Sequence, residues 1–174
     1  MTHQPASSEF AVIRSRPANL FAELRSNCID AFARLETTIC RCIIHFDCGL
    51  DAKKVPLSHR LATLATVKPG PQLSKERAAD LAKLTQSCVQ LLTTRGSMVH
   101  SVMALGEADG QPVALFQNAA DDALGLPIYL VLTPGGFGEV EATARTLANK
   151  LNGYLAPPTA RHPQPRPASA GAGS

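Results

Sequence analysis

No stretch of this chain is apolar for long enough to cross a membrane, and Met1 to Ser8 has no hydrophobic core of the secretory-signal type. Those two absences point to a cytoplasmic protein with no membrane partner. Cysteines do not come as an even set. Five are present, and an odd number without a secretory signal reads as reduced thiols rather than a disulfide framework. Excess charge is missing too. The formal net charge is +3, and two of the cations, Arg161 and Arg166, lie in a tail rich in Pro, Ala and Gly. The body is therefore near neutral, which gives no case for wide wrapping of nucleic acid but permits a small RNA site with a few cations. No internal repeat occurs. No Ser/His/Asp or Cys/His triad can be argued from spacing, and no cysteine has an evident activating neighbour. The Thr133–Gly138 stretch lacks the Gly-Lys-Ser/Thr ending of a phosphate-binding loop, so it reads as a plain strand-to-helix turn.

What is present is helix. With 174 residues, 45% hydrophobic and 18% charged, the chain is one domain with enough apolar surface for a real core. Residues 1–17 read as a partly disordered arm, 18–156 as a helical domain, and 157–174 as a tail that buries too little to order itself. A long first helix is expected from Ala18 to Phe46. Its stripe is Leu20, Leu24, Cys28, Phe32, Leu35, Ile39, Cys42 (or Ile43) and Phe46, in steps of three or four. Leu57 to Val67 is a second, shorter helix, with His59 on its surface. Ser74 is a good N-cap for a third, which runs unbroken from Lys75 to about His100. Then the character changes. Val102–Gly106 and Val113–Phe116 form a hairpin turning at Asp109-Gly110, Pro127–Leu132 is a third strand, and Glu139–Leu155 is the last helix. The fold class is mainly α: an up-and-down helical bundle with a small β-hairpin or three-strand appendage before the last helix.

The apolar stripe of the third helix, Leu81, Leu84, Cys88, Leu91 and Leu92, next meets Arg95 and Val99. A guanidinium on a core-facing position is costly unless it is paired or faces a polar surface, and it cannot shed its charge. Five positions later comes His100, the side chain suited to moving protons near neutral pH. A fixed cation and a proton carrier at one helix end are the parts for chemistry on a phosphodiester. In an ideal helix the two would point about 140° apart. They share one site if the helix bends near Gly96, or if they meet across a two-fold dimer. The bland alternative is an arginine paired with an acid and a histidine favoured by the helix C-terminal carbonyls.

Arg95-Gly96-Ser97-Met98-Val99-His100, near the end of a long helix in a chain of this element order, resembles the HEPN superfamily of helical-bundle proteins. Its motif is an arginine, a spacer of four to six residues, and a histidine. Position 96 is glycine where that family commonly has a polar residue. The resemblance implies a homodimer and metal-independent cleavage of RNA to 2′,3′-cyclic phosphate and 5′-hydroxyl ends, with no metal and no cofactor. His100 would be the general acid or base, and Arg95 would hold the scissile phosphate. Ser101, Glu36 and Arg41 are the supporting candidates: Ser101 toward substrate, Glu36 as the acid that holds Arg95, and Arg41 on a basic stripe with Arg34, Thr38 and His45. That stripe reads first as a solvated face; along an RNA cleft it would be the electrostatic wall. A defence or toxin–antitoxin setting, with an antitoxin or regulatory protein as partner, belongs to the same expectation. The alternative function is a non-catalytic dimeric helical module that binds RNA or protein. Zinc at Cys40, Cys42, His45 and Cys48 is disfavoured, because Cys40 and Cys42 point about 200° apart on a helix.

Overall fold

The computed structural model describes residues 7–117 and 129–156. The expected tail at 157–174, the first six residues of the arm, and Pro127 and Ile128 of the third strand lie outside the described residues. Among the described residues the chain forms five helices and one sheet: α1 (Ser7–His45), α2 (Leu57–Ala65), α3 (Lys75–Gln90), α4 (Leu92–His100), β1 (Val102–Ala108), β2 (Gln111–Gln117), β3 (Tyr129–Leu132) and α5 (Pro134–Asn152). It is mainly α, with a small antiparallel sheet before the last helix. No helix among the described residues is long and apolar enough to cross a membrane.

α1 starts at Ser7 rather than Ala18, so residues 7–17, assigned to the arm, have helical backbone with Pro17 inside the helix. One interior proline removes a single ladder hydrogen bond and adds a local clash, which bends a helix more readily than it ends one.

α1 and α5 form the most extensive helix pair. The Cys28 Sγ donates to the Phe137 carbonyl at 3.4 Å, and the Cys42 Sγ to the Leu151 carbonyl at 3.7 Å. Residue numbers rise together along both helices, so the pair runs parallel. Its buried positions show why the seam holds. Phe21, Cys28, Leu35 and Cys42 on α1, and Phe137, Ala144 and Leu151 on α5, are all buried and recur every seven residues, about two turns, which keeps each set on one side. The same spacing corrects the start of the α1 stripe: Leu20 is 45% exposed, whereas Phe21 is fully buried.

α3 and α4 run the other way. Arg77, at the start of α3, donates to the Gly153 carbonyl beyond the end of α5 at 3.3 Å, while α4 reaches back along α1. The third helix is not continuous as expected. Leu91 (φ −83°, ψ −10°) ends α3 and opens α4. Its N–H bonds to the Cys88 carbonyl in a tightened turn, and the α ladder resumes with Arg95 N–H on the Leu91 carbonyl. No glycine or proline marks the step. It separates two segments with different neighbours, since α3 packs on α2 and α5, whereas α4 packs on α1 and β2.

The hairpin turns where the sequence places it. Asp109 (φ 51°) and Gly110 (φ 72°) both take the left-handed backbone of a type I′ turn, and β2 pairs with β1 on one edge and β3 on the other. Ala114 and Phe116 of β2 are fully buried. The Phe116 ring lies 6.0 Å from that of Phe137, which in turn is 5.8 Å from Phe21, so the sheet seals the end of the α1–α5 seam. The Thr133–Gly138 stretch, expected as a strand-to-helix turn ahead of a helix from Glu139, instead forms the N-cap and first turn of α5. The Thr133 hydroxyl accepts from the Gly136 N–H at 3.1 Å, and Pro134 follows it. An N-cap threonine with proline at the first helical position nucleates the turn that three nearby glycines disguise.

Candidate functional site

The Arg95 Nε donates to the Glu36 Oε1 at 2.8 Å, joining α4 to α1 in an ion pair whose side chains are 28% and 26% exposed. The acid expected to hold Arg95 does hold it. Glu36 lies just off the buried positions Phe32, Leu35 and Ile39, and Arg95 continues the half-buried run of Leu91 and Leu92. The two stripes therefore meet at these residues. The Arg95 side chain makes no other hydrogen bond among the described residues, which leaves its terminal nitrogens as donors there.

His100 is exposed in the last turn of α4. It is not packed under its own hairpin. α4 is one helix from Leu92 to His100, Gly96 has no positive φ, and the break at Leu91 precedes both motif residues. α4 is not broken at Gly96, so helix periodicity sends Arg95 and His100 about 140° apart around it.

Ser101 lies next to His100, but it is buried, and its hydroxyl oxygen has no hydrogen-bond partner among the described residues. This protomer does not offer that hydroxyl to a substrate from solvent. Arg41 is also elsewhere. Glu36 lies about 140° round α1 from Arg41, and Arg41 faces α5 instead, donating to the Asn152 Oδ1 at 3.3 Å. Of the five candidates, the fold joins Arg95 and Glu36, places His100 and Ser101 at the same helix end, and sets Arg41 apart.

Sequence reasoning missed Arg25. Its Nε donates to the Met98 carbonyl at 2.8 Å and a terminal nitrogen to the Ser101 carbonyl at 3.1 Å, while the guanidinium sits 5.8 Å over the Phe116 ring. It caps the C-terminal end of α4 with a cation, where free carbonyls and the helix dipole favour one. The available signal was an arginine beside the α1 stripe, four residues after Phe21, but its target lies more than seventy residues away.

The three buried thiols are not activated nucleophiles. Burial pushes Cys28 and Cys42 up to about 11 and Cys88 up to about 12, with the Glu141 carboxylate adding to the rise at Cys28. Cys40 accepts a hydrogen bond from Arg60 at 3.3 Å, whereas Cys42 turns to α5, so the two diverge as helical geometry requires. Among the described residues, no group of three or more His, Cys, Asp or Glu side chains is placed to hold a metal ion.

Comparison with known proteins finds no match: no family model, no curated protein and no solved structure is similar to this chain.

Proposed function

We propose that this protein is a dimeric, HEPN-like endoribonuclease that cleaves RNA without a metal ion, leaving 2′,3′-cyclic phosphate and 5′-hydroxyl ends, in a defence or toxin–antitoxin setting. The observation that carries the reading is the Glu36–Arg95 pair at 2.8 Å, with His100 exposed at the end of the same helix. A guanidinium gripped through Nε keeps its terminal nitrogens for phosphate oxygens and stabilises charge developing on them. His100, free in solvent, takes the proton of a ribose 2′-hydroxyl or gives one to the leaving 5′-oxygen. Because the two diverge on α4, the working site pairs Arg95 of one protomer with His100 of its partner about a two-fold axis.

The test is cleavage of labelled RNA in chelator. Arg95→Ala and His100→Ala should each lower the rate by about 100-fold or more. An equal mixture of the two variants should recover about a quarter of wild-type activity, since half the dimers are mixed and each of those has one intact cross-protomer site. Cleavage by both variants as fast as by wild type, or no cleavage by wild type at all, would sink the catalytic reading. A mixture as inactive as its components would remove the shared site.

A second reading has its own observation. An ion pair more than two-thirds buried, tying α4 to α1, is also what a purely structural arginine makes. It describes a non-catalytic dimeric module binding RNA or protein, and predicts that Arg95→Ala lowers stability while RNA remains uncut by wild type.

A further inference from the structure

We infer that the groove between α1 and α5 grips the phosphate backbone of single-stranded RNA, at a place separate from Arg95 and His100. Only the class of ligand, RNA, is taken from the proposed function. Arg34 and Arg41 stand two turns apart on α1, about 10 Å along its axis, and Arg145 faces them from α5. Together with Thr38, Asn149 and Asn152 they line a hollow of about 280 Å³. It continues past Arg34, Thr38 and Arg41 into a second hollow of about 550 Å³.

The cations are arranged rather than scattered. Arg145 is oriented by Glu141, one of whose oxygens accepts from both Nε and a terminal nitrogen at 2.8 Å. Arg41 is steadied by Asn152. Neither Arg34 nor Arg41 has an acidic partner within salt-bridge distance among the described residues; Asp30 borders only the second hollow. Guanidinium forks and side-chain amides are donors suited to phosphate oxygens. No aromatic ring lines either hollow, so the groove lacks the platforms on which bases stack. It therefore holds RNA by charge, without reading sequence.

The experiment is binding of a labelled single-stranded RNA of about 12 nucleotides, followed by fluorescence anisotropy across a salt series. It uses the His100→Ala protein, so that cleavage does not consume the probe. Arg34→Gln/Arg41→Gln removes two contacts, each worth about five-fold at 0.1 M salt by counterion release; affinity should fall about 25-fold and the log–log salt slope by about 1.4. Lys53→Gln/Lys54→Gln, the same charge removed from the α1–α2 connection, should change affinity by less than about two-fold. Unfolding midpoints confirm that both variants are folded. Equal losses in the two variants, an unchanged Arg34→Gln/Arg41→Gln protein, or no salt-dependent binding by the parent would each overturn the inference. A failure of cleavage would not, because binding is read without it.

Discussion

At the scale of single residues, Gly96 is the motif position whose consequence is easiest to isolate. It sits inside α4 with ordinary helical backbone, and a Cβ added there would meet nothing within 4 Å. Gly96→Ala should therefore raise stability by about 0.5–1 kcal/mol, through the helix preference of alanine and the reduced freedom of the unfolded chain. Urea unfolding is the measurement; a loss of stability would mean that α4 needs the glycine. The Arg95 assignment was legible at this scale because a permanently charged group on an apolar stripe demands a partner. Glu36 was legible from its place beside the stripe of α1 together with the element order that the family resemblance implies. Arg25 was not, since nothing local marks a side chain whose acceptors are carbonyls at the end of another helix.

At the scale of elements, the end of α4 depends on that arginine. Arg25 satisfies the Met98 and Ser101 carbonyls, and charged-group hydrogen bonds are worth about 1.5–3 kcal/mol when lost from a partly buried position. Arg25→Gln should lower stability by that order. It should also raise amide exchange in the last turn of α4 before it does so in α1 or α5; uniform protection would show that α4 is held by packing alone. Most elements could be read from the chain, because stripes in steps of three and four, the Asp109-Gly110 turn and the Ser74 cap are local signals. Three boundaries could not. α1 runs back through Pro17 to Ser7. The break at Leu91 reflects a change of neighbours between α3 and α4, and the first turn of α5 was hidden by glycines that Thr133 and Pro134 override.

For the molecule as a whole, the buried thiols couple folding to pH. Cys28 and Cys42 at about 11 and Cys88 at about 12 stand above the unfolded value of 9.0. A thiol whose folded pKa is raised holds its proton longer in the native state. Its contribution is complete below pH 9 and is lost as pH climbs toward 11–12, at up to about 1.4 kcal/mol per pH unit for each thiol. In reducing buffer the urea midpoint should fall between pH 8 and pH 10, and fall less steeply in Cys88→Ala. A flat wild-type profile would contradict the burial of these groups.

The sequence by itself determined most of the helices, the hairpin, the mainly α class and the need of Arg95 for a partner or a polar surface. Each of these follows from periodicity, turn chemistry, or the cost of burying a charge. Tertiary structure alone decided that α5 runs parallel to α1, that α3 stops at Leu91, that Arg25 caps α4, and that Arg41 faces α5 and not Glu36. Those outcomes depend on which helix face meets which, across separations of fifty residues and more, and no local pattern encodes that choice. The side of α1 that a residue occupies thus separates the Glu36–Arg95 pair from the hollow lined by Arg34, Arg41 and Arg145.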